Sequence, residues 1–291
     1  MTQFKKAAHF MNRLNSTPSS TVGFYLLPGV YWPYINKCIA YVLIFEWIKG
    51  VKKMKRVKDK LEHLKIQQGI HQEFDSIILK DKDEAFRMLG GFVAPDGNTR
   101  VQCEILYEKA KKWGLKITFS HLNEQEAWVA YHQVLIPALL YPLGAIPVTE
   151  EQCNYIMGPA LKALLPKLGM GATTVRELVH AVPRYGGPDI TNIYTASGTM
   201  RIKMFIRHWR KNDSTSDILR ISLGCCQQEV GIGSALLSQD YRKYGWILQD
   251  CWIKMLWSFL DDINGTIVIE DDWQQKRLEN DQFLMKIIND M

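Results

Sequence analysis

Two stretches of this chain carry side chains whose type and spacing could bind a polyanion. Lys52, Lys53, Lys55 and Arg56 lie inside a dense basic run from Lys49 to Lys60. Arg201, Lys203, Arg207 and Arg210, followed by Lys211, lie on a stretch of helical period that also holds Phe205 and Trp209. Cations spaced along an element can follow a phosphate backbone, gaining affinity from released counterions with little readout of base sequence. RNA or DNA is therefore the expected partner of these residues. The alternative is a helical protein-interaction scaffold that binds no nucleic acid and whose cations are simply solvated. The formal charge is +6, unevenly placed. Met1 to Lys65 holds twelve Lys/Arg against three Asp/Glu, and Asp261 to Met291 holds three against eight. A basic front of this kind attracts polyanions.

The other reactive side chains are arranged less suggestively. Paired carboxylates at Asp261-Asp262 follow Phe259-Leu260, at the end of a segment with helical period and just before Asn264-Gly265. Two-metal phosphoryl transfer needs such a pair on a tight strand–turn–strand, so these acids are expected to close a helix and not to hold magnesium. Glu270, Asp271 and Asp272 read as a solvated loop. The six cysteines, at 38, 103, 153, 225, 226 and 251, show no C-x-x-C spacing, which argues against zinc and for small buried thiols in a reducing compartment, nucleus or cytoplasm. The seven His are scattered, and His132 and His180 fall in apolar surroundings, where a hydrogen-bonded core histidine is expected. No G-x-S-x-G elbow and no phosphate-binding G-x-x-x-x-G-K-[ST] loop occurs. No catalytic residue and no metal ligand is expected.

The elements that must position these side chains follow from period and punctuation. Pro and Gly between Asn15 and Pro33 are too dense for a long helix. The first thirty-five residues, with no acid before Glu46, have a composition compatible with a targeting segment. Tyr34 to Ile48 is apolar and fits a buried strand or a helix, and Ser76 to Leu79 reads as a strand. The apolar run Cys38–Phe45, at about eight residues, is far short of the roughly twenty that span a bilayer. Phe86 to Gly97 predicts a hairpin closing on the Pro95-Asp96-Gly97 turn. Beyond it the period is helical. One helix is capped by Asn98 and runs to Trp113, with Val101, Ile105, Leu106, Tyr107 and Trp113 as its apolar face. Capping boxes at Asn123/Glu126 and Thr149/Gln152 open two more, the second stopped by Pro166 and Gly169. Further helices are expected over Asn192–Lys211, Ser214–Val230, Trp246–Leu260 and Leu278–Ile288, with a short strand at Ile267–Ile269. The fold class is mainly α with a small β component (α+β).

These blocks, in this order, resemble the region that follows the catalytic palm in reverse transcriptases of non-LTR-like retrotransposons. Asn36-Lys37-Cys38 with Tyr41, Leu43 and Trp47 is similar to the stretch after the family's catalytic strand pair. AFRMLGGFVAPDGN (Ala85–Asn98) is similar to its R-x-L-G-V-x-x-x-P-D-G-N segment, whose Leu-Gly pair, here Leu89-Gly90, belongs to the primer-grip hairpin. The likeness continues through YEKAKKWG (Tyr107–Gly114), EAWVAYHQVLIPALLYPLGA (Glu126–Ala145), QCNYIMGPALKALLPKLG (Gln152–Gly169), RYGGPDITNIYTASG (Arg184–Gly198) and RLENDQFLM (Arg277–Met285). It covers nearly nine tenths of the chain. No single block is specific, and the collinear order carries the resemblance.

The resemblance implies a divergent segment over 1–35, a palm-edge and primer-grip-like β region over 36–97, a helical thumb-like bundle over 98–230 and a connection-like region over 231–291. It also implies descent from an RNA-directed DNA polymerase, an enzyme that uses Mg²⁺. The metal-binding aspartates of such an enzyme lie in the palm, for which this sequence has no counterpart. The aromatic-x-Asp-Asp likeness of Phe259–Asp262 falls on the wrong side of the hairpin. The expectation is a chain without polymerase activity of its own, contacting RNA or DNA or pairing with a separate palm-bearing polypeptide. Two departures stand out: Gly91 replaces the usual Val, and Pro188-Asp189-Ile190-Thr191 replaces the usual Leu-Gly-Leu-Pro.

Overall fold

The structure, a computed structural model, describes residues 21–26, 39–48, 51–55, 64–68, 73–88, 90–211, 213–269 and 287–288. The chain is mainly helical with a smaller β part. It forms two compact units: the described residues up to Met88 with Phe92–Asn98, and Gly90-Gly91 with the chain from Thr99 onward.

The first unit is built on a five-stranded sheet of β1 (Thr21–Leu26), β2 (Ile39–Ile48), β3 (Val51–Lys55), β4 (Leu64–Gln68) and β5 (Glu73–Lys80). The ambiguous apolar segment before Ile48 is thus strand, as its Ile, Val, Tyr, Phe and Trp content favours. It is the centre of the sheet, antiparallel to β1 and β3 and parallel to β5 over Ile39–Tyr41. The strand expected at Ser76–Leu79 lies inside β5. The Pro- and Gly-rich stretch expected to be irregular contains β1, because Thr21–Leu26 falls between its prolines. Tyr41 is buried and its hydroxyl donates to the Glu84 carbonyl at 2.9 Å. The predicted hairpin is formed by β6 (Phe86–Met88) and β7 (Gly91–Val93).

The second unit opens with α1 (Arg100–Thr118), whose N-cap is Thr99 in place of Asn98 and which runs a turn past Trp113. Its buried stripe is Cys103, Leu106, Ala110, Trp113 and Ile117, so Val101, Ile105 and Tyr107 fall outside the core face assigned to them. Both predicted capping boxes form: Asn123 starts α2 (Glu124–Ala130) and Thr149 starts α4 (Glu150–Lys167). Between them α2 passes through a π turn, Tyr131–Leu135, into α3 (Ile136–Leu143). Pro137 has no N–H to give Gln133, and the turn before it widens in response. α1 and α4 pack closely where Gly114 meets the Pro159 backbone, and a Cβ there would lie 2.9 Å from that carbonyl oxygen.

After α5 (Arg176–His180) come α6 (Ile193–Lys211), α7 (Ser214–Val230), α8 (Tyr241–Tyr244) and α9 (Trp252–Asp262). The helix expected from Trp246 therefore starts six residues later, and Trp246, placed on its apolar stripe, is 78% exposed. Cys251 caps α9, and a strong apolar period upstream of a cap does not make helix. Ile267–Ile269 forms no strand: it is irregular, with Val268 exposed and Ile267 and Ile269 packed on the core. The terminal helix expected at Leu278–Ile288 lies outside the described residues apart from Ile287 and Ile288. So does the targeting segment apart from β1. Two apolar cores result, one gathering α1 to α4 with Ile193, Tyr194 and Phe259, the other gathering Phe205, α7, the segment up to Leu248 and most of α9. Among the described residues, no helix is long and apolar enough to cross a membrane.

Candidate nucleic-acid-binding face

α6 begins where Asn192 accepts the Tyr194 N–H at 2.8 Å, and it contains no Asp or Glu. Its last turn carries His208, Arg210 and Lys211, which suits the negative end of the helix dipole. Positions 203, 207 and 210 are spaced i, i+4, i+7 and share one face. Lys203, Arg207 and Arg210 are all exposed and, among the described residues, have no ion-pair partner. Lys211 follows on the same side but lies 3.8 Å from Asp213, which also accepts from His208 at 2.9 Å.

Arg201 is a correction. It is fully buried, on the opposite side of α6, and cannot touch a polynucleotide at this face. Its Nη2 donates to the carbonyls of Ile146 and Val148 at 3.3 and 3.5 Å, while Nε and Nη1 find no hydrogen-bond partner. Burial lowers its pKa, opposed by the nearby Cys153 and Tyr194. Burial in turn pushes the Cys153 thiol up to about 12, with Arg201 pulling the other way. The helical period could have shown this: 201 falls among Ser197, Gly198 and Phe205, all of them buried.

One contributor was not legible in the sequence. Trp209 stacks on buried Phe205, with centroids 5.1 Å apart, and the Arg220 guanidinium from α7 lies 4.5 Å over the Trp209 ring. Arg220 also donates to Ser216 at 3.2 Å. The contact ties Arg220 to the last turns of α6, the helix that carries the row of cations. Its only sequence signal is the 11-residue separation across a turn, which does not by itself bring two helices together.

The other basic stretch is different. Lys52, Lys53 and Lys55 lie on β3, and Arg56 lies outside the described residues. Lys53 and Lys55 are exposed, but Lys53 is registered opposite Glu46 and Lys55 pairs with Glu46 at 3.2 Å. Of the primer-grip-like pair, Leu89 is outside the described residues. Gly90 turns the hairpin at φ +90°, and a Cβ on it would come within 2.8 Å of the Tyr141 ring. The positive φ favours glycine here.

The acidic pair ends a helix, as expected. Asp261 accepts from Arg242 at 3.1 Å, and Asp262 accepts from the Tyr194 hydroxyl at 2.5 Å. Burial and that bond raise the Tyr194 phenol. Asp261 and Asp262 thus stand at a helix end and not on the tight strand–turn–strand that two-metal phosphoryl transfer needs.

A third cluster fixes the segment Pro188–Thr191. Trp128 donates to the Pro188 carbonyl at 2.7 Å, and Tyr131 to that of Thr191 at 2.7 Å. His132 lies 3.2 Å from the Asp189 carbonyl, and His180 2.6 Å from that of Ile190. Both histidines are thus hydrogen-bonded and half-buried. Asp189 itself adopts φ 55°.

No family model, curated protein or solved structure matches this chain.

Proposed function

We propose that this chain is a reverse-transcriptase-derived, non-catalytic protein that holds the phosphate backbone of RNA or DNA on the exposed face of α6. The carrying observation is the row Lys203, Arg207 and Arg210 on an acid-free helix, whose Trp209 also holds the Arg220 guanidinium. Contacts of this kind position a strand without reading its sequence. The ancestry is supported by two backbone features. Gly90 and Asp189 both have left-handed φ, and both stand where the resembled family places glycine. A non-glycine residue tolerates that conformation best when it is Asn or Asp, so the departure at Asp189 keeps the geometry.

Anisotropy of a labelled single-stranded RNA and of an RNA–DNA hybrid, read across salt, tests this. The expected log–log slope falls by about 2 to 3 when Lys203, Arg207 and Arg210 are all changed to Gln, since each lost phosphate contact removes close to one counterion. Primer extension with magnesium is expected to be absent, and extension would overturn the non-catalytic part. No binding at about 50 mM salt, where phosphate contacts are strong, would instead favour the interaction scaffold. That second reading has its own support: Ile218 and Ile221 are 64% and 66% exposed on α7, an apolar face open to a protein partner.

A further inference from the structure

We propose that Cys251 and Cys226 form an oxidation site, in which a hydroperoxide attacks at Cys251 and Cys226 closes a disulfide onto it. The two sulfurs lie 3.8 Å apart, although 25 positions separate them in the chain. Cys251 is the N-cap of α9, half-buried, and its Sγ accepts the Lys254 N–H at 3.4 Å. Cys226 is buried on α7. A sulfur at a helix N-terminus is stabilised as thiolate by the free N–H groups and the dipole. Two roles follow from position: Cys251, at the positive helix end and less buried than Cys226, reacts, and Cys226 resolves. Electrostatics agrees. The hydrogen bond shared with Cys226, with the backbone N–H groups of Lys254 and Ile253, draws Cys251 down against its burial and Glu229, while the same bond and burial push Cys226 up. The Lys254 ammonium is turned to the Leu248 carbonyl and to Asp250.

The chemistry balances. The Cys251 thiolate attacks one peroxide oxygen, the O–O bond breaks, and hydroxide or alkoxide leaves, giving Cys251 sulfenic acid. The Cys226 sulfur then attacks the Cys251 sulfur, the S–O bond breaks, and water leaves with the Cys226 proton. The two cysteines lose two electrons in total and the peroxide gains them. Forming a bond of about 2.05 Å requires the sulfurs to close by about 1.8 Å. The product would tie the C-terminal half of α7 to the start of α9 within the second core.

The test exposes the full-length chain to one equivalent of hydrogen peroxide, followed by intact mass and peptide mapping. Loss of two hydrogens and a peptide linking residue 226 to 251 are expected. Cys251→Ser should abolish both. Cys226→Ser should leave a Cys251 sulfenic acid that dimedone captures, and Cys225→Ser should change nothing. A link that vanishes in Cys225→Ser, or a native chain that forms none, overturns the proposal. If a serine variant fails to fold, iodoacetamide labelling of the native chain decides. The Cys251 rate should level off at a lower pH when folded than when unfolded in urea, where an ordinary thiol keeps gaining reactivity past about pH 8. Identical profiles in the two states would exclude a reactive Cys251.

Discussion

Strand β3 carries three cations and helix α6 five, yet it is not the number that sets their different fields. On β3 the neighbouring strand supplies Glu46, which stands opposite Lys53 and pairs with Lys55. On α6 no acid occurs along nineteen residues, and three cations line one face without ion-pair partners among the described residues. Charge density along a sequence therefore says little about the surface potential. What decides is whether the adjoining element answers the charge, and sheets bring an answering strand within about 5 Å. A second contrast lies within α6 itself. Arg201 is only two residues from Lys203, but it is spent on two carbonyls inside the core.

That contrast gives the largest expected effect. Arg201→Ala leaves the Ile146 and Val148 carbonyls without their donor and opens a cavity, and should cost about 2 to 5 kcal/mol in urea unfolding. Arg201→Met fills the space without a charge and should cost far less, or stabilise. Neither should change the salt slope of polynucleotide binding, and a changed slope would return Arg201 to the binding set. Next in size is affinity. Lys203→Glu, Arg207→Glu and Arg210→Glu together should weaken RNA binding about a hundredfold, whereas Lys53→Glu with Lys55→Glu should weaken it by less than about threefold. Equal losses would erase the difference between strand and helix.

Smaller effects refine it. Trp209→Leu removes the seat of Arg220 and should reduce affinity by a factor of about 2 to 5, the size of a surface cation–π contact. Glu46→Gln should raise the contribution of β3 by freeing Lys55, with little change in stability, because exposed pairs contribute about 0 to 1 kcal/mol. Asp213 gives a pH signature. The hydrogen bond from His208, and then the Ser216 N–H, hold its carboxyl below its usual value. A group depressed in the folded state contributes stability above its unfolded pKa, near 4, and loses it as pH falls through the folded value. Thermal midpoints of Asp213→Asn should therefore lack part of the decline on the acid side of pH 4. A curve parallel to the native one would remove Asp213 as an electrostatic cap.

The helical part of the fold was legible because its signals are local. Asn123, Glu126, Thr149 and Gln152 specify caps within four residues, and Ser214–Val230 is bounded by an Asp cap and by Gly231 in the left-handed region. The strands were less so. β1 hides between prolines, and the partner of β2 at Ile39–Tyr41 is the distant β5, a pairing no local period announces. Ile267–Ile269 resembled a strand by composition but pairs with no strand among the described residues. For the site, Lys203, Arg207 and Arg210 followed from residue type, whereas Arg201 was misplaced because its charge outweighed its phase on the helix.

The path of α6 through both apolar cores has one more consequence. Ile193 and Tyr194 belong to the first core and Phe205 to the second, so neither can melt while the other keeps its full wall. Unfolding of this unit should proceed as a single event, and hydrogen exchange along α6 should be the slowest in the unit, reporting global opening and not local fraying. A ligand held on Lys203, Arg207 and Arg210 would then act on one shared beam, and its binding would register as protection throughout the helical unit.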